Sequence, residues 1–252
     1  MGTVEKAVSL LKLFSVPEPE MGLSDLARKA SFDKATTRRL LMALTRHGLV
    51  EQDADTRRYR LGAGVSRLAR IRDAHFPFVK IALPIVRDLA AQTGETVHLS
   101  EHSADALLTV HVELSARANR VNVDVGQTLP LHATASGLAF LAFSRSEAVG
   151  RYADSVLEAF TAHTVTRRER LMDTIRLAAS RGYSESAQGY EEGVHSVAAP
   201  ILAHDGYAIG TLAVAAPVSR VDGAAASLHG QAVVRAARLI SGRLNGEPPA
   251  RG

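Results

Sequence analysis

The sequence predicts an α+β chain of two domains: a small helical one ending in a β-hairpin, and a larger one mixing helices and strands, with a helix between them. Three observations predict it. A length of 252 residues, 46% of them apolar, is enough for two buried cores and excludes a disordered chain. Apolar residues recur at helical spacing as far as Gly48, after which alternation and turn residues take over until Gly62. Charge is unevenly divided: residues 1–76 hold 14 Lys and Arg against 9 Asp and Glu, a net of +5, whereas residues 77–252 hold 16 against 17, a net of −1. The basic excess thus belongs to the front end. That asymmetry fits a module that binds nucleic acid joined to one that does not.

Taken in order, Val4, Ala7, Val8, Leu11 and Phe14 give a first amphipathic helix from Thr3 to Phe14, ended by the prolines and glycine of SVPEPEMG. A short helix follows in SDLARKA, with Ser24 as its expected N-cap. After the turn SFD, Asp33 is placed to cap a third helix that runs to about His47 and stops at Gly48. On that helix Leu40, Ala43 and Leu44 share one face, while Lys34, Ala35, Arg38, Arg39 and Arg46 lie on the opposite arc. Two helices joined by a short turn, the second basic at its start, make a helix-turn-helix. LVEQ and RYRL flank the turn-rich DADTR as a hairpin, and a basic hairpin in this place is a wing. AGVSRLARIRDAHF reads as a linker helix with Val65, Leu68, Ala69 and Ile71 inward, and Pro77 and Pro84 bracket the entry to the second domain. The divisions are 1–62 for the winged domain, 63–76 for the linker helix and 77–252 for the second domain.

Beyond it, Val79 to Thr93 is helical; ETVHLSEH and ALLTVHVEL alternate as strands around SADA; and RVNVDV is read as a further strand. HATASGLAFLAF is a helix of small residues and RRERLMDTIRLAASRG is amphipathic. HSVAAPIL and YAIGTLAVAAP form paired strands about AHDG, and a helix from about Ala224 to Leu244 comes last.

The chain has no cysteine, which excludes disulfides, thiolate metal sites and a cysteine nucleophile, and suits a reducing compartment. Glu5, Lys6 and Lys12 interrupt the first apolar pattern, so it is a poor signal peptide, and no apolar run approaches the roughly 20 residues of a membrane span. The expectation is a cytoplasmic protein without membrane contact or cofactor. GYSES begins like a nucleophile elbow but has Ser186 where the second glycine must stand, and there is no phosphate-binding loop or dinucleotide turn. A hydrolase-type enzyme with an accessory DNA-binding domain is the rival reading. A purely architectural DNA binder is a third, opposed by a second domain that is larger than the first and has no basic excess. His98 and His102 share a strand face, so a metal site is conceivable, but the pattern favours ordinary polar-core or ligand-contacting histidines; His132 reads as structural.

For the basic helix the expected partner is double-stranded DNA. Arg38 matches guanine O6 and N7 in the major groove, a bidentate pair worth about 1–3 kcal/mol of discrimination. Lys34, Thr36, Thr37 and Arg39 are expected to hold phosphates or bases at the margin, with Thr36 open between contact and capping and Thr37 between contact and burial. Arg57 and Arg58 are expected on phosphate or in the minor groove.

RRYRLG, VGQTLPLHATASGLAFLA and GYSESAQGYEEGVHSVAAPILAHDGYAIGTLAVAAP occur in this order. Together with the N-terminal pattern they resemble the IclR family of bacterial transcriptional regulators. Gly126, Pro130, His132, Ala133 and Gly137 match one family block; Gly182-Tyr183, Gly193 and Ala198 to Ile201 match the other. The resemblance spans nearly the whole chain. It implies a winged helix-turn-helix, a linker helix and a GAF-like α/β effector-binding domain, a homodimer or dimer of dimers on a near-palindromic operator, and a small organic or aromatic acid as effector. A repressor is favoured over an activator. By position in the family pattern, Val121, Ala135, Ser186, Val194, Ser196, Ala213 and Ala215 would contact the effector. Asp33 stands where the family often has proline, Leu138 where many members have lysine, and Ser186 where an acid is common. Ala213 and Ala215 replace serines of some members, which makes the implied pocket more apolar and better suited to a ring or longer chain.

Overall fold

The computed structural model of the chain describes residues 1–104 and 106–246. They form two compact units that divide between Pro77 and Phe78. The first contains α1 (Thr3–Leu11), α2 (Leu23–Ala30), α3 (Lys34–Arg46), the hairpin β1 (Val50–Gln52) and β2 (Tyr59–Leu61), and α4 (Ala63–His75). Leu10, Met21, Leu26, Leu40, Leu41, Leu44, Val50 and Tyr59 form its core, so every element but α4 contributes apolar residues to it. Met21 pairs with Tyr59 through N–H···O bonds of 2.8 and 2.9 Å, which adds a one-residue third strand to the hairpin.

Asp33 caps α3 as expected: its carboxylate accepts from the Thr36 N–H at 2.8 Å, and that bond holds the carboxyl below its ordinary range. Gly48 follows α3 at φ +69°, a left-handed conformation that suits glycine. Ser24, by contrast, is not an N-cap. The helix begins one residue earlier, with Gly22 in the capping position and no side-chain cap. The inward stripe expected on the linker helix is also absent. Nothing on α4 is buried, and Leu68 and Ile71 are about half exposed, because no element of its own unit covers that face.

The second unit is built on a six-stranded antiparallel sheet of order β5-β4-β3-β8-β7-β6. Its strands are β3 (Thr96–Ser103), β4 (Ala106–Glu113), β5 (Thr128–Leu129), β6 (Ser184–Ala187), β7 (Val194–Leu202) and β8 (Ala208–Pro217). On one face α5 (Phe78–Thr93) and α9 (Gly223–Leu244) pack over Val97, Leu99, Val197, Ala199, Ile201, Leu212 and Val214. On the other lie α6 (Ala135–Ala142), α7 (Ser146–Ala153) and α8 (Arg168–Arg181), with Leu138, Phe140, Leu141, Val149, Leu171 and Ile175 in their core. Alternation along β3 divides the faces: Val97 and Leu99 enter the α5/α9 core, and His98 turns to α6. A bulge in β4 opposite Leu99 and Ser100 shifts the register, so Glu113, hydrogen-bonded to His111, meets Arg87 of α5 instead.

Two sequence expectations fail here. RVNVDV is not a strand; residues 120–125 are irregular, tied down by the Thr96 hydroxyl, which donates to the Val121 carbonyl at 2.7 Å. Alternation is present, but the stretch pairs with no strand; on that side of β4 only β5 pairs, at Leu107 and Leu108. Pro84 does not bracket the domain entry but lies inside α5.

Candidate functional site

The first site is the outer face of α3 with the wing. Lys34, Arg38 and Arg39 are exposed, and none makes a hydrogen bond or ion pair with another described residue. They occupy the first turn and a half of a helix held at its start by Asp33 and at its base by Leu40, Leu41 and Leu44. The turn before α3 is closed by Ser31 in the left-handed region and by the Phe32 N–H on the Ala27 carbonyl at 2.9 Å, which sets the angle between α2 and α3. A rigid mount with free guanidinium groups at its outer surface can enter a groove and neutralise phosphates without first breaking internal pairs.

Thr37 does not belong to this surface. It is fully buried, and its hydroxyl donates to the Asp33 carbonyl at 2.9 Å, because residues 37, 40, 41 and 44 share the inward face. Thr36 is half-buried, with its N–H engaged by the cap. In the wing, Asp53 organises the tip by accepting from the Asp55 and Thr56 N–H groups and the Thr56 hydroxyl at 2.7–3.1 Å. Arg57 follows at φ +59° and is exposed. Arg58 is exposed too, but its guanidinium donates to the Glu20 carbonyl at 2.7 Å, and Arg60 is paired with Glu20 and Glu51.

The second site is an open-mouthed cavity on the α6 face of the sheet. Its floor is His98 of β3, Ala215 of β8, Val194 and Ser196 of β7, and Ser186 of β6. One wall is the start of α6, with Thr134, Ala135 and Ser136; another is the irregular stretch carrying Val121, Asn122, Val123 and Gln127; Gly189, Tyr190 and Glu191 contribute a third. Serines of β6 position the helix start, since Ser186 Oγ donates to the Ala133 carbonyl at 3.0 Å and Ser184 Oγ to that of Ala135. Thr134 is the N-cap, accepting from the Gly137 N–H at 3.0 Å, so the helix begins at Ala135, inside the stretch HATASGLAFLAF. The N–H groups of Ala135 and Ser136 have no intrahelical acceptor and stand at the positive end of the helix dipole. The loop carrying Tyr190 is fastened by Thr161 and Thr164, whose hydroxyls donate to the Gln188 and Gly189 carbonyls at 2.6 and 2.7 Å. Phe160 packs edge-on against Tyr190.

Val121, Ala135, Ser186, Val194, Ser196 and Ala215 all line this cavity. Ala213 does not. It is fully buried with Ala135, Ala139 and Ala198, where a small side chain lets α6 approach the sheet. His98, read from the sequence as a polar-core or ligand-contacting histidine, also lines the cavity; Ser136, Gln127 and Tyr190 were not expected there, and Gln127 and Tyr190 sit on irregular backbone with no periodic signal. His98 is buried, and desolvation pushes its imidazole down to about 4, so it is neutral at physiological pH. His102 stacks on Phe140, and His132 bridges the Tyr152 hydroxyl and the Glu158 carbonyl at 2.8 Å each. No group of three His, Asp or Glu side chains suited to a metal ion occurs among the described residues.

Comparison with known proteins places both units in known domain families. Residues 3–54 match the model of the IclR helix-turn-helix domain, and residues 74–242 that of the bacterial transcriptional regulator IclR C-terminal region. The glycerol operon regulatory protein of Streptomyces coelicolor is 34% identical over 207 residues, 81% of this chain and 79% of that protein. The transcriptional repressor IclR of Escherichia coli is 26% identical, over 79% of this chain and 74% of that one. A solved ICLR transcriptional regulator from Silicibacter sp. TM1040 superposes with a TM-score of 0.86 at 37% identity, covering 98% of both chains. An IclR homologue from Microbacterium hydrocarbonoxydans, solved with 4-hydroxybenzoate, shares the fold with a TM-score of 0.83 at 23% identity, over 96% of this chain and 99% of that one.

Proposed function

The chain belongs to the IclR family of bacterial transcriptional regulators, and on that premise we propose that it is a ligand-responsive repressor, acting as a homodimer or dimer of dimers on a near-palindromic operator. It is a transcriptional regulator with a helix-turn-helix domain and an effector domain, not an enzyme. The observation that carries the operator reading is the unpaired cationic set Lys34, Arg38 and Arg39 on the exposed start of α3. Arg38 reads a base edge, Lys34 and Arg39 hold phosphate or marginal bases, and Arg57 and Arg58 hold the backbone from the wing. Arg58 must exchange its bond to the Glu20 carbonyl to do so, which makes Arg57 the stronger of the two.

The effector occupies the cavity beside α6 and is a small organic or aromatic acid. Among the lining residues there is no Lys or Arg, so a carboxylate is held by the Ala135 and Ser136 N–H groups and neighbouring hydroxyls. Repression is favoured by analogy with the relative named a transcriptional repressor. Ligand changes operator affinity only to the extent that it prefers one arrangement of the dimer.

The test is fluorescence-anisotropy titration of the purified protein with DNA from its own promoter region and with scrambled DNA, at several salt concentrations, followed by a thermal-shift screen of small acids. A sequence preference of ~1000-fold or more, with affinity falling as salt rises, supports the operator reading. Equal affinity for both DNAs contradicts it.

A further inference from the structure

We propose that Met42, together with Ala35, recognises thymine methyl groups in the major groove, on either side of the base pair contacted by Arg38. The inference rests on reading α3 as the helix that enters the operator, and adds to it the apolar part of the sequence preference.

Thr37, Leu40, Leu41 and Leu44 are the buried residues of α3, and they fix which side of the helix faces its own core. With about 3.6 residues per turn, the middle of the opposite side is held by Ala35, Met42 and Arg46, with Arg39 close on one flank and Arg38, then Lys34, on the other. Met42 is 55% exposed, whereas the three leucines of the helix are buried. Helical side chains lean towards the N-terminus, so Met42 covers the turn that carries Arg38 and Arg39, four and three residues before it. Ala35 lies three and four residues before the same pair and is exposed as well. An apolar strip thus runs down the centre of a strongly cationic face. The side chains of Lys34, Arg38, Arg39 and Arg46 make no hydrogen bond or ion pair with another described residue.

Exposure of a single methionine means little by itself. Its position on this face gives it meaning. Phosphates draw the cations at the edges of the face, and its centre meets the edges of the bases. Nearly everything presented there is a hydrogen-bond donor or acceptor, and the exception is the C5 methyl of thymine. A thioether side chain pressed against N7, O6 or N4 strips water from that group and returns no hydrogen bond. Against a methyl it buries apolar surface on both sides, and its unbranched chain adapts to the shape. Met42 therefore favours thymine twice, by attraction to it and by a penalty against the other bases. Ala35 repeats the contact with a single methyl group about 10 Å away along the helix.

The test uses the full chain and the footprinted site from its own promoter region, with each thymine replaced in turn by deoxyuridine, an exchange that removes only the methyl group. Anisotropy titration of the wild type should reveal at least one position in each half-site where loss of the methyl weakens binding by about threefold to tenfold. Met42→Ala, at an exposed helical position that alanine suits, should melt as the wild type does. It should bind the unmodified site as weakly as the wild type binds that uracil site, and should no longer distinguish the two. Ala35→Gly should lose a smaller preference at a separate position, and an undiminished preference there removes Ala35 from the assignment. Uracil exchange without effect at every position overturns the proposal. So does a penalty that persists undiminished in Met42→Ala, since it then comes from the stiffness or groove width of the DNA and not from the side chain. The two levels fail differently: equal affinity for the promoter site and scrambled DNA contradicts the operator reading itself, whereas a sequence preference that ignores the methyl groups contradicts only this inference.

Discussion

Single residues decide what the two sites can recognise. Arg38 and Arg57 are both exposed and unpaired, yet one stands on the recognition helix and the other on the wing. Arg38→Ala should lower operator affinity by about 1–3 kcal/mol and scarcely alter binding to scrambled DNA. Arg57→Ala should weaken both DNAs and reduce the salt slope by about one. Anisotropy titrations at several salt concentrations separate the two, and equal losses on both DNAs for both variants would refute the division of labour. His98 carries a different consequence. Its folded imidazole titrates at about 4 and its unfolded one near 6.5. The unfolded state therefore binds the proton first, and stability falls as pH drops from 6.5 towards 4 and is flat above about 7. The loss is at most about 3 kcal/mol. Urea midpoints at pH 7.5 and pH 5 should show this for the wild type and a smaller difference for His98→Leu. The cationic helix face was legible from residue spacing; Thr37 has the spacing of Leu40, Leu41 and Leu44, but its hydroxyl left contact and burial both open, and its bond to the Asp33 carbonyl decides for burial.

At the scale of elements, α6 and the irregular stretch opposite it shape the cavity. α6 lies so close to the preceding segment that a Cβ on Gly137 would stand 2.3–2.5 Å from the backbone of Leu131. Backbone cannot give way as a side chain can, so Gly137→Ala should cost about 1–3 kcal/mol and lower the melting temperature. It should also weaken ligand binding, because the N–H groups of Ala135 and Ser136 move with the helix start. A change confined to stability would detach this glycine from the site. The opposite wall is held by a buried carboxylate: Glu95 accepts from Arg220 Nε and Nη2 at 3.0 and 2.7 Å and is paired with Arg117, while Arg220 Nη1 donates to the Asn119 carbonyl at 2.8 Å. Removing Arg220 leaves Glu95 with one partner and frees the Asn119 end of the wall. Arg220→Ala should cost about 2 kcal/mol and speed amide exchange between Ala116 and Val121. Unchanged exchange there would mean that Thr96 alone pins the wall. RVNVDV alternates like a strand, yet Val121 is buried in the cavity wall, Val125 is exposed, and the Val121 carbonyl bonds to the Thr96 hydroxyl rather than to a neighbouring strand.

For the whole molecule, the near-palindromic operator we propose supposes two winged units of a dimer meeting the DNA at equivalent half-sites. Inserting five base pairs at the operator centre rotates one half-site by about half a helical turn and should abolish high-affinity binding, whereas ten base pairs should restore part of it. Footprinting on the three DNAs checks this, and insensitivity to spacing would argue for independent monomers. Among the described residues no helix is long and apolar enough to cross a membrane. The amino-acid sequence by itself determined the order of the main elements, the basic front end, the cap and stop of α3 and the paired strands of the second unit. These depend on local periodicity, capping chemistry and charge, all of which act over a few residues. Only the tertiary structure decided that Thr37 and Ala213 are interior, that the apolar residues of α4 are uncovered by their own unit, and that residues 120–125 form a wall and not a strand. It alone brought His98 and Ser136, 38 positions apart, within hydrogen-bond distance. Burial and pairing of that kind depend on which surfaces meet, and a one-dimensional pattern shows which residues can be buried but not against what.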